Sequence, residues 1–232
     1  MESIFSPENL RRLLIFAPPF ILSLSFHEWA HAWSAYKLGD NTAKEQNRMT
    51  LDPMAHIDWL GTVIIPAFGV LFNGPLFGWA KPVPVNPRNL KKPRQHMAII
   101  ALAGPVSNMF LATLLTGLLS YLIKFAPGHL ASFQFMNFES SNILKAATEM
   151  CSMAIQLNLF LAFFNLLPIY PLDGSRILQG ILPWSLAEKI ERFGQQFQWI
   201  FLILIFTGAL RFLTIPVYAC LKALFLLFQI PI

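Results

Sequence analysis

Apolar residues in this chain come in long runs, and its polar residues gather in the breaks between them. Ahead of the first run, Ser6, Pro7 and Glu8 supply an N-cap oxygen, a first-turn proline and an acid suited to a helix N-terminus. A helix is therefore expected from about residue 7 to Leu38, bending at Pro18 and Pro19 and stopped by Gly39. Residues 40–58 are polar and mixed in charge. Residues 59–80 are apolar but interrupted by Gly61, Pro66, Gly69, Gly74, Pro75 and Gly78. That spacing predicts a broken or re-entrant hairpin, a backbone tolerated at membrane depth only where protein or water satisfies it. In 81–95, the prolines of Lys81-Pro82-Val83-Pro84-Val85-Asn86-Pro87 dictate extended chain. Two spans follow, at 96–124 and 146–168, joined by a loop on the opposite side. A loop over 169–196 leads to a final apolar pair, 197–213 and 215–230, divided near Arg211 to Pro216. The chain contains no internal repeat.

Composition places these elements in lipid. Apolar types make up 55% of the 232 residues and charged types 12%, against roughly 25% charged in a soluble domain. Several runs approach the ~20 residues that cross a hydrocarbon core of ~30 Å. The expected fold is an all-α polytopic membrane protein with about five to six transmembrane helices, a re-entrant or broken hairpin and a short extended segment. It forms one domain over 1–232, with a core at 7–196 and a C-terminal helical pair at 197–230. The bilayer is its first partner; no oligomeric state is implied.

Charge orients the chain and excludes one class. The net charge of +5 arises in the breaks, with no dense basic run interleaved with aromatics, so no nucleic-acid partner is expected. Lys81, Arg88, Lys91, Lys92 and Arg94 lie in 81–95 without an acid, which marks that loop as cytoplasmic. The N-terminus then lies outside, with Arg11 and Arg12 on the disfavoured side. Those arginines, an apolar run and Ala30-His31-Ala32 imitate a signal peptide, but Pro18 and Pro19 interrupt the run and Glu2 and Glu8 precede it. Cys151 and Cys220 lie in apolar segments and form neither a disulfide framework nor a zinc ribbon.

The chemistry gathers in His27-Glu28-Trp29-Ala30-His31. Helix positions four apart share a face, so both imidazoles can reach one metal ion, and Glu28 can address a water on it; this is the zinc-hydrolase spacing. Asp, Lys or Arg mid-span costs roughly 2.5–3.5 kcal/mol on insertion scales, and ionisable groups there mark function by default. A catalytic zinc takes three protein ligands and leaves one position open. Asp173 is the best third candidate, although Asp173-Gly174 alone reads as a turn and Asp173 could cap a helix beginning near Ser175. Zn2+ with Asp173 and Glu28 ionised sums to zero, which suits a poorly hydrated site. His56 and His96 lie in polar stretches, and His129 lies in the loop on the far side.

These residues resemble the site-2 protease family of intramembrane zinc metalloproteases, in its short form without a PDZ or CBS domain. The family's zinc helix matches His27-Glu28-x-x-His31, and its second motif matches Asn165, Pro168, Asp173 and Gly174. Further matches are Arg48-x-Thr50-x-Asp52-Pro53-x-x-His56-x-Asp58-x-x-Gly61-Thr62, the stretch Gly78 to Pro87, and Gly104-Pro105-x-x-Asn108. Asp52 stands where Asn is usual and Tyr170 where Pro is common. The resemblance implies one zinc ion bound by His27, His31 and Asp173, with Glu28 as general base. It further implies that Asn108 and Asn165 hold substrate or order the site, and that His56 fixes a loop or stands behind the ligands. The implied substrate is a transmembrane protein or peptide, and the implied location a bacterial inner membrane with the site toward the cytoplasm. The extended Lys81–Pro87 stretch could offer an edge to an unwound substrate. Two other classes compete: a divalent metal-ion transporter, which needs ligands strung across several spans, and a non-catalytic zinc scaffold, which needs a fourth protein ligand.

Overall fold

Helix α1 (Pro7–Lys37) begins where its cap residues place it, with the Ser6 hydroxyl accepting from the Asn9 N–H at 3.2 Å. It stays one α-helix through Pro18 and Pro19. Its buried Ser23 and Ser25 donate to the Pro19 and Ile21 carbonyls one turn back, so neither hydroxyl is orphaned among apolar neighbours. At the other end Gly39 takes a left-handed φ of 107°. The Asp40 N–H then reaches the Ala35 carbonyl and the Gly39 N–H reaches Tyr36, the bonds of a Schellman stop. The computed structural model describes residues 6–72, 77–125 and 143–230.

A four-residue helix α2 (Thr42–Glu45) and a 3-10 turn (Pro53–Ala55) lead into the broken element. Six π-helical residues (Trp59–Ile64) run into α3 (Ile65–Leu71), about 20 Å in all, too short for a bilayer core. The chain comes back beside its own start: the Trp79 N–H donates to Gly61 O at 3.1 Å, and the Thr62 hydroxyl donates to Trp79 O at 2.7 Å. A Cβ on Gly61 would lie 2.3 Å from the Trp79 indole, and one on Gly78 would lie 2.3 Å from Gly61 O. Those two glycines allow the limbs to touch. The broken hairpin is present; its turn, with Gly74 and Pro75, falls outside the described residues.

Extended chain from Trp79 to Asn86 and a 3-10 turn (Pro87–Asn89) precede α4 (Pro93–Phe125). Then come α5 (Ile143–Asn165), α6 (Asp173–Ile181), α7 (Trp184–Phe206), a 3-10 turn (Ala209–Leu213) and α8 (Thr214–Leu227). No strand occurs among the described residues. Among the described residues, four segments are long and apolar enough to span: Pro7–Lys37, Pro93–Lys124, Lys145–Asn165 and Ala209–Leu227.

Two boundaries differ from expectation. The stretch 169–196, expected as a loop, holds α6 and the first half of α7. Gly174, which read as a turn residue, and Gly180 are both packing contacts. A Cβ on Gly180 would sit 2.3 Å from that of Ala98 in α4. The final pair divides at Gly208, left-handed at φ 69°, not at Arg211–Pro216; Pro216 lies in the first turn of α8, where no N–H partner is lost.

Helices α1, α4 and α5 pack on one another and α6 lies against α4. Leu119, Ile155, Leu159, Leu221 and Phe225 fill the interior between α4, α5 and α8, while Phe16, Phe20, Leu24, Val70 and Leu161 fill that between α1, α3 and α5. Leu22, Phe110, Leu114 and Leu118 face outward, as lipid-facing side chains do in a bundle with no water to avoid.

Candidate metal centre

Helix α1 brings His27 and His31 to one face, and both are buried, at 5% and 8% exposure. Their Nε2 atoms lie 2.9 Å apart. Asp173, 146 residues from His27, closes the group: its Oδ2 lies 3.1 Å from His27 Nε2 and 3.3 Å from His31 Nε2. It opens α6 without capping it, so the cap expected of a turn aspartate is replaced by a carboxylate aimed at the imidazoles. Gly174 makes that approach possible, because a Cβ there would lie 2.3 Å from the Leu166 and Leu167 carbonyls.

Each imidazole has its other nitrogen engaged. His31 Nδ1 donates to the Ile100 carbonyl at 2.7 Å, and His27 Nδ1 donates to Asn108 Oδ1 at 2.6 Å. With a proton on each Nδ1, both Nε2 atoms carry lone pairs, and these face each other and a carboxylate oxygen. Three acceptors converging at 2.9–3.3 Å, the two imidazoles buried and the carboxylate partly so, repel one another unless a cation sits among them. Zinc binds imidazole nitrogen and carboxylate oxygen at ~2.0–2.2 Å in tetrahedral array, which puts neighbouring donors about 3.3 Å apart. The donor set fits that ion and leaves a fourth position open. Helix α4 touches the pair at Gly104, where a Cβ would lie 2.5 Å from His27 Nε2 and from His31 Cε1.

Glu28 stands next to this triangle. One of its carboxylate oxygens lies within 4.8 Å of a ring nitrogen of each histidine. Its Oε2 accepts the Val83 N–H at 2.8 Å, a partner not expected from the sequence. Of the four N–H groups in Lys81–Pro87, Lys81 donates to His56 O, Val83 to Glu28 and Asn86 to Asp40. Arg48 adds bonds to the Lys81 and Pro82 carbonyls at 2.7 and 3.3 Å. The stretch is thus a strap tied across the site, not an open edge. Its far end is held by Asp40, whose carboxylate accepts from Asn86, Asn89 and Thr42. Those bonds overcome burial and keep Asp40 below the usual carboxylate range.

The remaining candidates separate. Asn108, fully buried, touches His27. Asn165 donates to Leu161 O within its own helix. His56 donates from Nε2 to Thr50 O at 2.8 Å and fixes the loop that carries the strap. His96 sits in the first turn of α4, and His129 lies outside the described residues. Sequence reasoning missed Asn158, which bonds Asn108 at 2.7 Å. A bare amide in the middle of an apolar span was the signal for it.

Comparison with known proteins assigns the chain to a family. The family model described as Peptidase family M50 matches residues 15–207. The chain is 39% identical over 204 residues to YwhC of Bacillus subtilis (strain 168), provisionally named a zinc metalloprotease, covering 88% of this chain and 84% of that one. It is 26% identical over 189 residues to Rip2 of Mycolicibacterium smegmatis and 27% over 190 residues to Rip2 of Mycobacterium tuberculosis (strain H37Rv), both provisionally named zinc metalloproteases. Those alignments cover 80% and 81% of this chain but 63% and 64% of the mycobacterial ones, so the chain spans less than two thirds of their length. No solved structure matches significantly. As the resemblance to site-2 proteases implied, the chain belongs to peptidase family M50.

Proposed function

We propose that this protein is an intramembrane zinc metallopeptidase in which His27 and His31, through Nε2, and Asp173, through Oδ2, hold the ion while Glu28 moves the proton. The observation that carries this reading is the convergence of those three acceptor atoms at 2.9–3.3 Å, with both Nδ1 protons committed elsewhere. A bound zinc ion supplies a Lewis acid that polarises the scissile carbonyl and lowers the pKa of water toward ~7.

The chain's own residues do the rest. Glu28, with Oε2 held by the Val83 N–H, stands at the reach of one intervening water from the imidazole nitrogens. It takes the proton from the attacking water and delivers it to the leaving amine. Asn108 accepts from His27 Nδ1 and keeps that ring turned to the site. The substrate class is a transmembrane protein or peptide that must lose local helix, because an intact helix keeps its carbonyls bonded and shielded. Water and the unwound segment enter from the side of loop 40–58 and the strap. The acid-free loop 81–95 faces the cytoplasm by the positive-inside rule, in the inner membrane of a bacterial cell.

The test is a set of three variants reconstituted with a model transmembrane substrate. Glu28→Gln is expected to abolish cleavage and retain zinc, whereas His27→Ala and Asp173→Ala lose the metal. Cleavage retained by Glu28→Gln overturns the assignment of the base.

A further inference from the structure

We infer that Asn158 is a positioning residue for the metal centre: through Asn108 it fixes the tautomer of His27 that leaves the Nε2 lone pair for the ion. This rests on the zinc site proposed above. Asn158 lies on α5, is fully buried and touches no ligand itself. Its influence follows from donor and acceptor accounting.

The Asn158 amide has two protons, and both are spoken for. One goes to the Ser23 hydroxyl oxygen at 2.7 Å and the other to the Ala154 carbonyl at 2.8 Å. The Ser23 hydroxyl has already given its proton to the Pro19 carbonyl at 2.7 Å, so toward Asn158 it can only accept. A backbone carbonyl can only accept as well. Asn158 therefore presents Oδ1, not Nδ2, to Asn108.

The same logic repeats one step on. Asn108 donates from Nδ2 to Asn158 Oδ1 at 2.7 Å and to the Ser23 carbonyl at 3.2 Å. Its Oδ1 is then the atom that meets His27 Nδ1 at 2.6 Å, and an amide oxygen there requires the proton on Nδ1. Turning either amide over would press carbonyl oxygen against carbonyl oxygen in a water-free interior. Polarity thus runs from the Pro19 and Ala154 carbonyls through two side-chain amides to the metal ligand, across α1, α4 and α5. His31 needs no such relay, because the Ile100 carbonyl acts on its Nδ1 directly.

The test uses the full chain in detergent, with three readouts: zinc affinity by chelator competition, the visible spectrum of the Co2+ form, and 15N NMR of the histidines without metal. Asn158→Leu keeps the volume and removes the amide, leaving Asn108 only its longer bond to Ser23 O. We expect zinc affinity to fall about tenfold, the low end for loss of a partner behind a ligand, with an altered Co2+ spectrum and His27 divided between tautomers. Ser23→Ala removes one acceptor of Asn158 and shifts all three readouts the same way by less; it decides the matter if Asn158→Leu fails to fold. Loss of thermal stability alone, with wild-type affinity, spectrum and tautomer, would overturn the inference. Failure of the site and of the relay are distinguishable: a wild type that binds neither zinc nor Co2+ overturns the metal centre, whereas a metal-free wild type with its His27 proton on Nε2 overturns the relay.

Discussion

Replacing Val83 by proline removes the N–H that Glu28 accepts and sets a ring methylene in its place, so the carboxylate loses its donor and must turn away. The Val83 N–H, 2.8 Å from Glu28 Oε2, is the backbone group that aims the proposed base. Pro82 and Pro84 flank it, so the chain there is already extended and a third proline suits the same backbone. The side chain is 9% exposed and packs on Ala32, Ala43 and Met49, contacts a proline ring of similar size largely keeps. A hydrogen bond to an ionised group contributes about 1.5–3 kcal/mol, and each ~1.4 kcal/mol on a barrier is tenfold in rate. If the base is released whenever the donor is lost, kcat on a model transmembrane substrate in proteoliposomes falls roughly 10- to 150-fold. Zinc content stays at the wild-type level, because no ligand atom is touched. Val83→Ala keeps the N–H and lowers stability while sparing kcat. A Val83→Pro protein that folds, holds zinc and turns over at the wild-type rate would refute the role given to the strap.

Three further outcomes follow from particular contacts. Gly104→Ala drives a methyl to within 2.5 Å of His27 Nε2 and His31 Cε1, so metal content, read by atomic absorption, is expected to drop more than tenfold while α4 stays helical by circular dichroism. Gly174→Ala meets the Leu166 and Leu167 carbonyls at 2.3 Å and moves Asp173 off the imidazoles; zinc affinity falls, and wild-type affinity would show that the turn can yield. Asp40 has its carboxyl held low in the folded protein, so its stabilising effect is present above its ordinary value of 3.8 and is lost as pH falls below that. Asp40→Asn is expected to lower the melting temperature at pH 6 and to flatten its fall between pH 4 and pH 2.

Local chemistry made much of this site legible in the sequence. His27, Glu28 and His31 could be placed because one helical face gathers positions four apart, and ionisable groups in an apolar span are costly without a partner. Ser6, Pro7 and Gly39 marked the ends of α1 for reasons confined to a few residues. What stayed hidden depends on distant parts of the chain meeting. Nothing near Val83 announces that its N–H will find Glu28, 55 residues away. Gly174 looked like a turn residue because the backbone contact it permits lies across another segment. The polar stretch 169–196 read as a loop for the same reason, since its apolar face is defined by what it packs against. Asn158 was the exception that sequence could have offered, being a lone amide within an apolar run.

The most direct measurement is X-ray absorption at the zinc edge on the purified wild type and on Asp173→Ala. The wild type is expected to hold one zinc per chain with two imidazole nitrogens and lighter oxygen donors, at ~2.0–2.2 Å and without sulfur. Asp173→Ala is expected to lose the ion or hold it much more weakly. Zinc bound in the variant with unchanged stoichiometry and an unchanged spectrum would contradict a centre built from α1 and the start of α6.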